Sequence, residues 1–131
     1  MNEQKLIVTT KNDIAFTGMC RVIGNYVCIK QSDKSDVFVL ILLESIKFVL
    51  NLKGKEIKLE KCEDEDIQFD LIECREHIVK VKGGITYAGI EANCNNMIAE
   101  RIAADSVILC INEKLMYFVI IPKYEIVKEW K

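Results

Sequence analysis

Ile7-Val8-Thr9-Thr10-Lys11-Asn12-Asp13-Ile14-Ala15-Phe16-Thr17-Gly18 recurs, without a gap, as Ile78-Val79-Lys80-Val81-Lys82-Gly83-Gly84-Ile85-Thr86-Tyr87-Ala88-Gly89. Five of the twelve positions are identical and Phe16 exchanges for Tyr87. Asn12-Asp13 falls on Gly83-Gly84, and both pairs tolerate the positive φ that a tight hairpin turn demands. The same register brings Asn25 onto Asn96. One strand-turn-strand unit is therefore read as used twice.

Working outward from the first copy, alternation and turn residues predict strands over 6–10 and 14–22, with Gly18 inside the second where a missing side chain suits a bend. Gly24-Asn25 makes a two-residue connection to a strand over 26–30. Ser32 to Asp36 then leads into the apolar run 37–43, and Glu44-Ser45 closes a turn before a strand over 46–52. Short strands joined by tight turns are what a small, strongly bent barrel needs. In the second copy the run 115–121 corresponds to 37–43, and 126–130 to 46–49, after an offset change of about eight residues. The extra residues are expected to form a short helix, capped by Asn95 or Asn96 and ending at Ala103-Ala104-Asp105 before a strand over 106–111. Between the copies, 56–62 and 67–74 alternate around the acidic run Glu63-Asp64-Glu65-Asp66 and read as a connecting hairpin with a solvated tip. The expected organisation is a first β unit over 1–53, a connecting β-hairpin over 54–75 and a second β unit over 76–131, the two units sharing one core.

Composition agrees with a mainly β fold. Half of the 131 residues are hydrophobic, with five Phe and one Trp, so the bulk comes from Ile, Val and Leu, which favour strands. The 18 basic and 20 acidic residues are spread along the chain, which disfavours double-stranded DNA or another extended phosphate backbone as partner. The first residues carry no basic stretch followed by a long apolar segment, so neither export nor a membrane is expected and the cytoplasm is the expected compartment. There the six cysteines read as reduced, mostly buried thiols.

The order of a strand, a turn, a long bent strand with Phe-x-Gly, a short turn, a further strand and an apolar strand ending in Leu-Leu-x-x-Ile resembles the Sm-like small barrels. It is carried by Ile14-Ala15-Phe16-Thr17-Gly18, Gly24-Asn25-Tyr26 and Leu42-Leu43-Glu44-Ser45-Ile46, and again by Ile85-Thr86-Tyr87-Ala88-Gly89 and Ile121-Pro122-Lys123-Tyr124-Glu125-Ile126. The resemblance implies two Sm-like bent-barrel units in tandem and assembly through edge strands. It also implies single-stranded RNA binding at the loop holding Asn25 and Tyr26.

Individual constellations point to binding more than to catalysis. Cys74-x-x-His77 with Cys62 upstream supplies three potential zinc ligands where a structural site takes four, so no metal and no cofactor is expected, and His77 reads as a surface residue. Cys20 and Cys28 lie on facing strands of the Gly24-Asn25 hairpin, close enough to approach each other. No nucleophile elbow, phosphate loop or dinucleotide fingerprint occurs, so no catalytic residue is assigned and the protein is read as a non-enzyme. Asn93, Asn95 and Asn96 offer paired donors and acceptors, and Arg101 a planar cation, suited to a ligand's polar edges.

The expected function is a binding or regulatory module that takes a partner protein or small ligand through its loops. The alternative is a protein that binds a nucleotide or single-stranded RNA through Asn25, Tyr26, Asn93, Asn95, Asn96 and Arg101. An inhibitor or sequestering protein of a phage or mobile element is a subtype of either. Runs 37–43 and 115–121 lack polar alternation, so each needs cover on both faces. The other copy, the 56–74 hairpin or another chain can supply it, with intramolecular cover expected for one run and a homodimer or higher homo-oligomer for the other.

Overall fold

The computed structural model describes residues 3–62, 66–94 and 104–130. The chain is mainly β, and the described residues form eleven strands in one open antiparallel sheet. In chain order they are β1 (Gln4–Thr10), β2 (Ala15–Ile23), β3 (Tyr26–Lys30), β4 (Phe38–Leu42), β5 (Ile46–Asn51), β6 (Glu56–Ile57), β7 (Phe69–Val81), β8 (Thr86–Cys94), β9 (Ser106–Asn112), β10 (Tyr117–Pro122) and β11 (Ile126–Trp130). Across the sheet they run β11-β7-β8-β9-β10-β4-β3-β2-β1-β5-β6. No helix among the described residues is long and apolar enough to cross a membrane.

The repeated stretches form the same local hairpin for the same reason. Thr10 N donates to Ile14 O at 2.9 Å and Val81 N to Ile85 O at 3.0 Å, closing both turns. The second residue of each turn pair has positive φ, 66° at Asp13 and 86° at Gly84. Phe16 then faces Val8 across its pair, and Tyr87 faces Val79. Gly18 faces Leu6 as Gly89 faces His77. A one-turn 3-10 segment follows the apolar strand in each half, Leu43–Ser45 before β5 and Lys123–Glu125 before β11. Lys11 N donates to Ser45 O and Lys82 N to Glu125 O, both at 2.9 Å, so each turn is tied to the hairpin in the same way.

The two apolar runs meet in the middle of the sheet. β4 and β10 pair antiparallel, with Val39 opposite Val119. Their side chains alternate between two buried clusters. Val39, Ile41, Val119 and Ile121 enter the larger core, which also gathers Leu6, Val8, Val49, Val79 and Leu109. Leu40, Phe118 and Ile120 enter a second cluster on the opposite face, with Tyr26 and Ile67. Both runs, and not one alone, find cover inside the molecule, so they give no reason of their own for self-association.

The connecting segment departs from the expected hairpin. Glu56–Ile57 forms a short strand on the outer edge of β5, with Val49 opposite Ile57, while Phe69 begins a 13-residue strand that runs on to Val81. Two demands explain this. The outer edge of β5 carries unpaired backbone groups that Glu56–Ile57 satisfies, and the second cluster needs an apolar lid, which Ile67 and Phe69 provide. The expected helix lies mostly at 95–103, outside the described residues, and Ala104 and Asp105 form a turn.

Candidate functional site

The loop expected to bind a ligand is occupied by the chain itself. Asn25 Oδ1 accepts a hydrogen bond from Ile67 N at 3.0 Å, and Gly24 O accepts one from Cys62 N at 3.0 Å, so the connecting segment lies over the β2–β3 turn. Tyr26 is only 2% exposed. Its ring meets Phe69 edge-on at 5.3 Å and Phe118 at 6.2 Å, and burial pushes its hydroxyl well above the ordinary tyrosine pKa. Asn93 is exposed on β8 opposite Asp70. Asn95, Asn96 and Arg101 lie outside the described residues, so Asn25, Tyr26 and Asn93 are the expected binding residues that can be placed, and they share no common face.

His77 is an interior residue rather than a surface one, 4% exposed. It occupies the place that Leu6 has in the first half, because β7 turns residues 77, 79 and 81 inward. Nε2 lies 3.3 Å from Glu129 Oε1 and Nδ1 lies 3.9 Å from Glu91 Oε2, yet among the described residues neither ring nitrogen has a hydrogen-bond partner. In the register of the repeat, Glu91 and Glu129 stand where Cys20 and Val49 stand, both buried in the larger core. A polar trio thus replaces an apolar one. An unpaired buried donor or acceptor costs about 1–3 kcal/mol. His77→Leu is accordingly expected to stabilise the protein by about 1–2 kcal/mol, read as a higher urea midpoint with an unchanged m-value.

Cys20 and Cys28 do not approach each other. Cys20 lies opposite Ile29 and Cys28 opposite Arg21, and they enter clusters on opposite faces. Burial pushes both thiols up to about 11 from 9.0, against a smaller lowering of Cys28 by Arg21. At pH 8 an alkylating reagent is therefore expected to leave Cys20 and Cys28 unmodified in the native protein and to reach them after denaturation. Because the folded state holds these protons more tightly, their contribution to stability is complete below pH 9 and is lost as pH rises toward 11.

The open surface of the first half carries a groove of about 320 Å³ between β2, β3 and β4. Met19, Arg21, Cys28, Lys30 and Phe38 line it, with Glu3 and Asp33 also contributing. Lys30 Nζ reaches Asp36 Oδ1 at 3.3 Å. Asp36 also accepts a hydrogen bond from the Tyr124 hydroxyl, which, with Lys30, holds its carboxyl below the usual range and ties the β3–β4 loop to the second half. A second groove, about 410 Å³, runs along β5 and β6 between Leu43, Ile46, Phe48 and Ile57.

No protein-family model, curated protein or solved structure matches this chain. The geometry must carry the functional reading alone. It supplies a mixed-charge groove over Phe38 and, among the described residues, an unpaired sheet edge at β11. Neither was singled out in the sequence. The repeat register was the available signal, since it sets His77 on the inward Leu6 and Glu129 on Val49.

Proposed function

We propose that the protein is a non-enzymatic binding module built from two Sm-like β units in tandem, and that it engages a partner protein by strand addition at β11. The order β5-β1-β2-β3-β4 in one half and β11-β7-β8-β9-β10 in the other supports the two-unit reading, as do the matching turns and 3-10 segments. Since β4 and β10 pair with each other, the fourth strand of neither unit offers a free edge.

The observation that carries the function is the difference between the two remaining edges. At one end of the sheet the two-residue β6 pairs Val49 and Leu50 of β5 and leaves only a very short edge, whereas among the described residues no strand pairs with the outer edge of the five-residue β11. Next to that edge, Val127 is 61% exposed and Trp130 is 41% exposed. An unpaired edge flanked by apolar side chains is a template for an added strand. Lys128 faces Lys80 across the β7 pairing, and Lys128 Nζ lies 4.9 Å from the Trp130 ring, so the outer surface beside the edge is cationic. An extended acidic segment with apolar residues suits it. Self-pairing of β11 centred on Lys128 would oppose like charges, which is destabilising, and this weighs against a second copy as the occupant.

Extended peptides selected from a random display library against the full chain test this reading. Bound peptides are expected to protect the amides of residues 126–130 from hydrogen exchange. Val127 is passed over in the β7 register, where Ile126 pairs with Val81 and Lys128 with Lys80. Proline is tolerated at such a bulge. Val127→Pro should therefore remove peptide binding while leaving the fold intact; peptides that bind without protecting 126–130, or bind Val127→Pro equally well, would sink the proposal.

A further inference from the structure

From the groove over Phe38 we infer a second binding site, for a small ligand that joins a flat aromatic ring to an anionic group. The inference rests on the two-unit reading, because the second half supplies the template. Phe38 and Phe118 each stand five residues before the 3-10 segment of their half, at Leu43 and Lys123. In the second half the Phe69 ring stacks on Phe118, with centroids 3.9 Å apart and planes 22° from parallel. The side chains beside that stack are small and uncharged: Ala92 holds the register place of Arg21, and Cys110 that of Lys30. Among the described residues no ring lies on Phe38.

The first half therefore presents the same platform with its insert missing and with two cations in place of the alanine and the cysteine. The ring of a ligand takes the position on Phe38 that Phe69 takes on Phe118, gaining the offset stacking that aromatic pairs favour. Its phosphate or carboxylate falls to Arg21, whose planar fork binds such oxyanions in a bidentate manner, and to Lys30. Lys30 is held by Asp36 at 3.3 Å and has to be shared or released on binding. Glu3 and Asp33 keep the groove from being a general anion trap, and they accept hydrogen bonds from ring N–H or amino groups at the ligand's other end. A volume of about 320 Å³ admits a molecule of mononucleotide size. Nucleoside monophosphates and aromatic carboxylates share this chemistry.

Titration of the full chain, followed by amide chemical shifts, with adenosine 5′-monophosphate, indole-3-acetate and inorganic phosphate as separate probes decides the matter. Saturable shifts at Met19, Arg21, Lys30 and Phe38 are expected with one or both aromatic anions and not with phosphate alone. Affinity should fall at least tenfold in Arg21→Gln and in Phe38→Leu, the latter keeping an apolar side chain without the ring. Saturation by the nucleotide alone identifies the anion as a phosphate, and saturation by indole-3-acetate alone identifies it as a carboxylate. No saturable shift up to millimolar probe, or binding that survives both substitutions, overturns the inference. Cross-strand contacts between Val39 and Val119 in the same sample test the two-unit pairing separately, so an empty groove in a correctly paired sheet refutes the ligand site without touching the fold.

Discussion

Phe118→Ala is expected to cost about 3–5 kcal/mol, the largest loss for any single truncation in the sheet. Phe118 is fully buried at the centre of the second cluster, stacked on Phe69 and in edge contact with Tyr26. Its strand is held on both sides by β4 and β9, so the backbone cannot move in to fill the space. Loss of the ring also strips the support from Phe69, and with it the packing of the connecting segment over Asn25. Against a total stability of about 5–15 kcal/mol for a domain, the variant should melt about 10–20 °C lower. Phe118→Leu keeps most of the volume and should recover more than half of the loss. Phe38→Ala removes the same ring from the equivalent but half-buried position and should cost clearly less. Equal losses at Phe38 and Phe118 would show that the lid formed by Phe69 contributes nothing.

What could be read in the sequence followed from local rules. Turn chemistry at Asn12-Asp13 and Gly83-Gly84 and the alternation around them are short-range signals, and they define the two hairpins. The continuous apolar runs correctly signalled strands covered on both faces, and left open whether the other unit, the connecting segment or a second chain covers each. The pairing of Val39 with Val119 joins residues 80 positions apart, and nothing in either run marks the other as its neighbour rather than a copy in another chain. The fate of the connecting segment was likewise hidden, since Glu56-Ile57 and Phe69 are claimed by an edge and a cavity that exist only once the strands are assembled. Tyr26 begins the strand expected over 26–30, but its ring, expected to face a ligand beside Asn25, fills the space beneath Phe69. His77 was within reach, because extending the repeat by one residue sets it on Leu6. The groove over Phe38 becomes visible only by comparing which of two equivalent faces the chain has covered.

Gly18→Val and Gly89→Val are expected to unfold the protein or nearly so, and the alanine series at the glycines explains why. A Cβ on Gly18 would lie 2.3 Å from Lys30 O, and one on Gly89 would lie 2.5 Å from Cys110 O. Both obstacles are backbone carbonyls, in β3 and β9, so relief requires separating two paired strands rather than rotating a side chain. No positive φ is involved, and the constraint is the close approach of β2 to β3 and of β8 to β9. Each alanine variant should lose about 1–3 kcal/mol or more, as overpacked cores do, and the added methyl groups of valine should raise that beyond what the domain can spare. Gly83→Ala provides the control, because a Cβ there meets nothing within 4 Å and its φ is not positive. It should be neutral or stabilising by up to about 1 kcal/mol through the unfolded chain. Urea denaturation of Gly18→Ala, Gly89→Ala and Gly83→Ala in parallel gives the comparison. Similar large falls at Gly18 and Gly89 with none at Gly83 would mean that the two halves bring their strands together at the same point for the same steric reason. A tolerated alanine at one of the first two would mean that its strand pair relaxes at little cost, and that the close approach there does not depend on the missing side chain.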